Sequence, residues 1–344
     1  TSLDGLDIAY HKGETIAFTH IYANNLRTLS KLIHQSSAKN IEVFEEMLML
    51  LKADVNVQDF FDKVVDFKGN TILIDKHTLT NQLDKLAKKR INHLSKNAFK
   101  DNKFQSYFDD QGLDPDAGDT LALTGQAIAL LSDTPTRKQA KYVASTTKKL
   151  LFDKHIGGYH LNSDYNQVLT NMGRAYGFAY GQKENGAVFS HMVIMYAYGL
   201  YQYGLVNYGH EAAFTLLKQS NKRSSQVLLG IPEYFNNEGI GKYPYLTGSA
   251  SWMLKLLRSE IFGLSLDCGK LTLNPKLKSS DFVDGKASIT TYLFKELRTI
   301  TYHNPKNLDF TKYQIEKITK NGSIVENDFV NLDGNLEVYL NDKL

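Results

Sequence analysis

The sequence predicts a mainly α-helical fold followed by a small C-terminal antiparallel β domain. From residue 14 to about 262, apolar residues recur at three- and four-residue steps, as in Tyr22, Leu26, Leu29 and Ile33. After residue 264, short apolar stretches alternate with Asn-Gly and Asp-Gly pairs, which are typical of β-hairpins. Hydrophobic residues make up 42% and charged residues 22% of the chain, as in proteins with a packed core. We therefore expect a helical domain over 1–264 and a β domain over 265–344.

The same patterns predict the individual elements. The apolar repeat that begins at Ile16 predicts a first helix, and further helices are expected at 41–52, 80–95, 120–132, 136–151, 190–203, 209–220 and 247–262. Loops rich in Gly, Asn, Asp and Tyr separate them, at 109–119, 157–166, 181–187 and 230–245. Short strands are expected at 271–273, 287–294, 297–302 and 336–340. The segment 54–80 is ambiguous, and residues 64–74 are compatible with a hairpin.

Charge and cysteine content exclude several classes of function. The chain carries 40 basic and 37 acidic residues, a formal net charge of +3, which is too balanced for a groove that binds nucleic acid. Cys268 is the only cysteine, which excludes an internal disulfide, argues against a cysteine-based zinc site and favours a reducing, cytoplasmic compartment. No apolar stretch is long enough for a membrane span. The first residues lack an initiator Met and a signal peptide, which suggests a fragment or a processed chain.

Aromatic residues are the clearest compositional bias. The chain has 20 Tyr and 18 Phe but one Trp. A tyrosine offers a flat apolar face and a hydroxyl on one side chain, which is the combination that a pyranose ring requires. Most of these residues are expected in the core, and a minority at a ligand site.

The strongest candidate site is a polar loop at residues 180–190. It reads YGQKENGAVFS and leads directly into an apolar helix that begins near His191. Backbone N–H groups in the first turn of a helix lack partners and favour an anion. The alternative interpretation is an ordinary helix start that follows a charged loop.

A second polar stretch opens the next long helix. Residues 245–252 read YLTGSASW, with Thr247 and Gly248 at the predicted helix start. Thr247 is a suitable N-cap residue. Its hydroxyl and the backbone N–H of Gly248 would also suit a phosphate group, because glycine allows an anion close to the backbone. Capping and anion binding are compatible at one helix end.

Other polar residues are weaker candidates. Gln126 is placed either at a pocket rim or at a helix interruption, and Glu233 lies beside aromatic residues in a Gly/Asn-rich loop. Asp116 follows Asp114 and Pro115 in what we interpret as a turn rather than a catalytic pair. The histidines along the helices have no partners at metal-ligand spacing, so no metal site is expected.

Several motifs together resemble glycoside hydrolase family 94. Residues 157–162 read GGYHLN where the family has GGYRLN, and residues 173–181 read GRAYGFAYG where it has GRAFGFAFG. The KENG loop at 183–186, the stretch 245–252 and the segments PEYFN and LNPK add to this resemblance. It covers most of residues 120–280, and the wording is nearest to the 1,2-β-oligoglucan phosphorylase branch.

The resemblance implies a fold and a set of roles. Members of this family are inverting phosphorylases with an (α/α)₆ barrel, so residues 1–264 would form a partial barrel, or toroid. By the same resemblance, His191, Thr247 and Gly248 would bind phosphate, and Glu184 would contact the acceptor-side sugar. Lys183, Gln126, Glu233 and Tyr245 are the further substrate-binding candidates. Asp4 falls on the position of the general acid, although Thr1, Ser2 and Leu3 replace the preceding residues of the family motif.

The expected reaction is phosphorolysis of a β-linked gluco-oligosaccharide, with β-1,2-glucan favoured, to α-glucose 1-phosphate. Inorganic phosphate is the co-substrate, and no cofactor is expected. Two alternatives stay open at this point. The chain is either a catalytically incomplete sugar- or phosphate-binding fragment that needs an N-terminal half, or an inverting hydrolase with Glu184 or Asp116 as its second carboxylate. A homodimer also stays open, and neither nucleic acid nor a membrane is an expected partner.

Overall fold

The computed structural model describes residues 13–52, 57–65, 68–112, 114–169, 173–244 and 247–343. The chain divides into two compact units. The first comprises residues 1–152 and 160–187, and the second comprises 153–159 and 188–344. The predicted boundary after residue 264 falls inside the second unit and stays a prediction. Within the described ranges, no helix is long and apolar enough to cross a bilayer.

Helices dominate the first unit. They are α1 (Ile16–Gln35), α2 (Met47–Leu50), α3 (Val57–Val65), α4 (Lys76–His93), α5 (Leu123–Leu131) and α6 (Arg137–Leu151), with a π-helical turn at Leu94–Ala98 and a 3₁₀ turn at Arg174–Gly177. Helix α1 packs along α4. Their shared core contains Leu26, Leu79, Leu83, Leu86 and Ala87. Residues three and four apart lie on one helix face, which explains why both helices were predictable from the apolar repeat.

Short strands connect these helices. They are β1 (Gly13–Thr15), β2 (Asn40–Phe44), β3 (Thr71–Asp75), β4 (Phe99–Lys100), β5 (Lys103–Phe104) and β6 (Tyr107–Asp109). Strand β7 (Phe152–Asp153) contains the last residue of this part of the first unit and the first residue of the second unit. Strand β1 pairs with β6, and β2 pairs with β3 in antiparallel register.

The expected helix at 41–52 is wrong for its first half. Residues Asn40–Phe44 form β2, and only Met47–Leu50 are helical. The compatible hairpin at 64–74 is wrong too, because Val57–Val65 is a helix and Thr71–Asp75 pairs with β2. Ile41 and Val43 lie on one face of β2 in an alternating pattern. The partner strand that fixes this pattern lies far along the chain, where local periodicity carries no information about it.

The second unit begins with β8 (Gly158–Tyr159) and β9 (Val188–Phe189). Its helices are α7 (Ser190–Gln202), α8 (Val206–Ser220) and α9 (Gly248–Lys255), the last of which continues as a π-helix over Leu256–Ile261. Helix α7 packs against both α8 and α9. Strands β10 (Tyr234–Phe235) and β11 (Gly241–Lys242) join β9 in a three-stranded sheet. The helices predicted at 190–203, 209–220 and 247–262 are confirmed.

Strands follow from Leu264 onward. Those predicted at 271–273, 287–294, 297–302 and 336–340 are confirmed, whereas Leu264–Asp267, Tyr313–Lys320 and Ser323–Val325 were not predicted. The strands are β12 (Leu264–Asp267), β13 (Lys270–Leu273), β14 (Lys286–Leu293), β15 (Glu296–His303), β16 (Tyr313–Lys320), β17 (Ser323–Val325) and β18 (Leu336–Asp342). The last five form one sheet in the order β14-β15-β18-β16-β17. The expected all-antiparallel arrangement needs one correction: β15 and β18 are parallel, because the chain returns to β15 through a long connection rather than a hairpin.

Candidate functional site

The start of α7 in the second unit is held by the small sheet that precedes it. Strand β9 pairs with β10, and the backbone N–H of Ser190 donates to the carbonyl oxygen of Glu233 at 2.9 Å. The N–H of Glu233 in turn points to the carbonyl oxygens of Lys242 and Tyr243, at 3.1 Å each. His191 follows in the first turn of the helix, whose N-cap residue, Phe189, makes no side-chain capping hydrogen bond. These backbone hydrogen bonds fix the position of the first turn of α7, and therefore of the His191 backbone.

The start of α9 carries the N-cap that the sequence predicts. The hydroxyl of Thr247 accepts from the backbone N–H of Ser249 at 3.2 Å and lies 2.8 Å from the Ser249 hydroxyl. Gly248 is the first residue of the helix. The first N–H groups of α7 and α9 are the kind of donors that an anion satisfies.

The structure brings His191 and Gly248 into direct contact. A Cβ atom placed on Gly248 would lie 2.9 Å from Cε1, 3.2 Å from Nδ1 and 3.4 Å from Nε2 of His191. The imidazole therefore lies against the bare α-carbon of Gly248, and the two helix starts meet at this point. This close approach explains the glycine, since any side chain here would displace the ring.

The imidazole of His191 is partly buried beside the start of α9. Its Nε2 atom is buried and has no hydrogen-bond partner within the described part of the chain. Burial lowers the pKa of His191 below its ordinary value, because the surroundings do not solvate an imidazolium. A bound anion would supply the missing partner and the compensating charge.

In the first unit, the KENG loop at 183–186 is a hydrogen-bonded turn. The Asn185 side chain donates to the carbonyl oxygen of Phe178 at 2.7 Å and accepts from the Asn162 side chain at 3.0 Å. Asn162 also accepts from the N–H of Gly186 at 2.8 Å. Gly186 has a φ of +74°, and a Cβ here would lie 2.1 Å from the ring of Tyr180, so only glycine fits.

The two charged residues of this loop are half-buried. Lys183 has a φ of +47°, and its ammonium lies 5.0 Å from the centroid of the Phe178 ring. Glu184 follows it at the tip of the turn. The network around Asn185 thus presents a cation and a carboxylate from a rigid backbone.

A cavity of about 290 Å³ lies in the same unit. Four aromatic residues and several polar ones line it: Asp164, Tyr165, Asn166, Gln167, Val168, Tyr176, Phe178, Ala179, Tyr180 and Asn185. The rings of Tyr165 and Tyr176 meet edge to face, with centroids 5.6 Å apart. Neither Tyr165 nor Tyr176 was predicted as a site residue, although Tyr176 lies in the GRAYGFAYG stretch at 173–181. Aromatic walls with amide groups between them are suited to a sugar ring.

Gln126 and Asp116 occupy fully buried positions. The side chain of Gln126 accepts from the N–H of Phe104 at 2.9 Å and donates to the Phe104 carbonyl oxygen, so it bridges to strand β5. We therefore do not include Gln126 among the residues of the proposed site. Asp116 accepts from the N–H of Ser106, and burial raises the pKa of its carboxyl group to about 6. Neither side chain reaches solvent.

Two predicted site residues, Asp4 and Tyr245, lie outside the described residues. Among the residues that the structure does describe, no group of three or more His, Cys, Asp or Glu side chains could hold a metal ion. Glu233 lies at the edge of the small sheet, and its backbone connects the start of α7 with β11.

Comparison with known proteins identifies the family. Residues 55–207 match the model of the glycosyl hydrolase 94 superfamily, catalytic domain. This part of the chain belongs to the glycosyl hydrolase 94 superfamily. The glycosyl hydrolase 94 region contains the KENG loop, the aromatic cavity and His191, and it ends before Thr247 and Gly248. The family resemblance inferred from the motifs is thereby confirmed.

Several solved structures align with parts of this chain. An uncharacterized conserved protein from Thermus thermophilus aligns with a TM-score of 0.43 and 15% identity, covering 71% of this chain and 46% of that one. A GH63 mannosylglycerate hydrolase from the same organism, in complex with glucose, aligns with the same TM-score and identity, covering 71% and 47%. A sialidase aligns with a TM-score of 0.52 and 10% identity, covering 88% of this chain and 25% of the sialidase.

The chain therefore spans just under half the length of the two Thermus structures that it matches. The sialidase likeness concerns the fold alone. No curated protein sequence matches the chain.

Proposed function

We propose that the chain carries the phosphate and sugar sites of an inverting phosphorylase that converts a β-linked gluco-oligosaccharide to α-glucose 1-phosphate. The observation that carries this proposal is the contact between His191 and Gly248, which brings the start of α7 next to the start of α9, where the Thr247 hydroxyl is the N-cap. The glycosyl hydrolase 94 match supports a reaction on a glycosidic bond. Phosphate is the co-substrate, and the proposal requires no cofactor.

The chemistry needs an anion-binding group and a single acid. A phosphate oxygen attacks the anomeric carbon while the glycosidic bond breaks, and the leaving oxygen takes a proton from a carboxylic acid, for which we propose Asp4. An inverting hydrolase needs a second carboxylate to activate water, whereas phosphate is already a nucleophile. His191, the Thr247 hydroxyl and the Gly248 N–H would bind and orient the phosphate.

Burial argues against Asp116, one of the two carboxylates that the hydrolase alternative offers. A carboxylate that activates water must contact that water, and the Asp116 carboxyl group is fully buried against the backbone of Ser106. Burial raises the pKa of this carboxyl group to about 6, but a carboxyl group without access to solvent does not contact the water that it would have to activate. Asp116 is therefore unsuited to the role of general base that the hydrolase alternative would give it.

On the sugar side, we propose that Glu184 and Lys183 bind hydroxyl groups of the acceptor sugar, with Glu233 and Tyr245 as further ligands. The aromatic cavity beside the KENG loop has about 290 Å³, which would accommodate a sugar ring. The residues of the motifs are most similar to those of the 1,2-β-oligoglucan phosphorylases, which favours β-1,2-linked glucan as substrate. A partial (α/α)₆ barrel, a cytoplasmic location and a homodimer complete the proposal.

A product assay tests the proposed reaction. The chain is incubated with β-1,2-gluco-oligosaccharides, with and without inorganic phosphate, and α-glucose 1-phosphate and free glucose are quantified. We expect sugar phosphate to form only with phosphate present, and His191→Ala to reduce its rate by about 10²–10³-fold, because an oriented charge-stabilising donor is lost. His155→Ala, which removes an exposed imidazole from a turn, is the matched control.

Three results would contradict the proposal. Sugar release in phosphate-free buffer would indicate hydrolysis. An unchanged rate in His191→Ala would remove the proposed phosphate ligand. Binding of phosphate and oligosaccharide without any turnover would instead assign the chain a binding role.

A further inference from the structure

The imidazole of His191 has a second neighbour besides Gly248. The ring of Trp252 lies with its centroid 6.1 Å from that of His191, tilted by 42°. Trp252 lies one turn after Gly248 on α9, so both residues are on the helix face that meets α7. His191 therefore has a bare α-carbon and an aromatic ring as its neighbours on α9.

Trp252 is itself held from the other side. The ring of Tyr198, two turns after His191 on α7, meets it edge to face with centroids 5.7 Å apart. The ammonium of Lys255 lies 4.4 Å from the centroid of the Trp252 ring and 5.2 Å from that of Tyr198. Edge-to-face and cation–π contacts of this kind fix both the position and the tilt of an indole.

Tyr198 is anchored in turn. Tyr198 is buried, and this burial raises the pKa of its hydroxyl to about 12. The nearby Glu260 carboxylate makes a smaller contribution in the same direction. Glu260 lies on the π-helical turn that follows α9 and forms a buried ion pair with Lys276. A row of fixed groups thus leads from a buried ion pair to the imidazole of His191.

We infer that Trp252 is a positioning residue of the phosphate site, whose ring holds the His191 imidazole in the orientation that binds the anion; this inference rests on the proposed function. Gly248 contacts the imidazole but has no side chain that could restrict the rotation of the ring. Without the indole, the imidazole would gain rotational freedom, and binding phosphate would have to restrict it again. A site is effective when neighbouring packing fixes the rotamers of its ligands.

The experiment compares variants of Trp252 for phosphate binding by calorimetry. Trp252→Leu removes the ring, whereas Trp252→Phe keeps an aromatic face. We expect Trp252→Leu to weaken phosphate binding by about tenfold, since it removes the orienting wall, and Trp252→Phe to restore affinity to within about threefold of the unmodified chain. Tyr339→Leu is the matched control, because it removes the ring stacked on His303 at 4.6 Å in the C-terminal sheet.

A second measurement needs no variant. Trp252 is the only tryptophan, so its fluorescence reports on this position alone. We expect phosphate to change the emission with the same midpoint as the calorimetric titration. Unchanged emission, equal affinity in Trp252→Leu, or an equal loss in Tyr339→Leu would each overturn the inference while the phosphate site stands. Failure of the unmodified chain to bind phosphate would overturn the proposed function as well.

Discussion

Gly248→Ala is expected to weaken phosphate binding by about 10- to 100-fold while the chain stays folded. The added methyl group would lie 2.9 Å from Cε1 of His191, which is too close for the present arrangement. The imidazole is the end of a side chain and can rotate away, so the fold adapts at small cost. The phosphate, however, loses the oriented imidazole and meets a methyl group where the backbone was bare.

Calorimetric titration of phosphate, together with a thermal unfolding curve, checks this result. Gly334→Ala is the matched control, because its added methyl group would meet the Lys320 and Asn321 side chains only at ordinary contact distances of 3.5–3.6 Å. We expect the control to bind phosphate normally. A Gly248→Ala chain that binds phosphate as tightly as the unmodified one would show that the contact with His191 does not serve anion binding. A chain that unfolds would show that the contact is structural.

The second large effect concerns acid stability and the buried His20 of α1. We expect the free energy of unfolding to fall by about 1.4 kcal/mol per pH unit below pH 6.5 on account of this residue. Its Nδ1–H donates to the Thr134 hydroxyl, whose own proton points to the carbonyl oxygen of Ala129. Its Nε2 is buried without a partner in the described part of the chain, and Phe104 meets the ring edge to face.

Burial lowers the pKa of His20 from its ordinary 6.5 to about 3 in the folded chain. Above pH 6.5 the imidazole is neutral in both the folded and the unfolded state, and the full stability is present. As the pH falls from 6.5 towards 3, His20 binds a proton in the unfolded state but not in the folded state, so the free energy of unfolding decreases. The penalty for charging a buried imidazole is the cause.

Denaturant unfolding at pH 7.5 and at pH 5.0 measures this contribution. His20→Asn keeps a donor near Thr134 but does not titrate, so it should lose less stability on acidification than the unmodified chain, by about 2 kcal/mol. The comparison at pH 7.5, where neither state of His20 is charged, isolates the packing cost of the substitution. Equal losses in the two proteins would mean that His20 does not govern the acid response.

The sequence was most informative where one helix face is apolar. The apolar repeat that begins at Ile16 predicted the first helix, α1, because a face that must be buried imposes a period of 3.6 residues. The helix predicted at 190–203 is α7, Ser190–Gln202. Residues 41–44 were wrongly predicted as helix because their pairing with Thr71–Asp75 is a contact between distant parts of the chain. Local patterns carry no record of such a partner.

The candidate site was predictable to a similar extent. The polar residues that precede α7 and α9 indicated two helix starts able to bind an anion, and the structure places His191 of one against Gly248 of the other. Tyr165 and Tyr176 were not predicted to line a cavity, because Tyr165 lies in an irregular segment and Tyr176 in a single 3₁₀ turn, where no long-range period relates a residue to its neighbours. Trp252 is the last residue of the YLTGSASW stretch at 245–252, but its contact with His191 depends on how α7 and α9 pack.

The most direct test of the phosphate site is a crystal structure of the chain grown or soaked with inorganic phosphate. The account predicts one anion at the junction of α7 and α9, with oxygens about 3 Å from the His191 imidazole, the Thr247 hydroxyl and the Gly248 backbone N–H. The same anion should be absent from crystals of His191→Ala. Phosphate bound elsewhere, or an empty junction at saturating phosphate, would contradict the account.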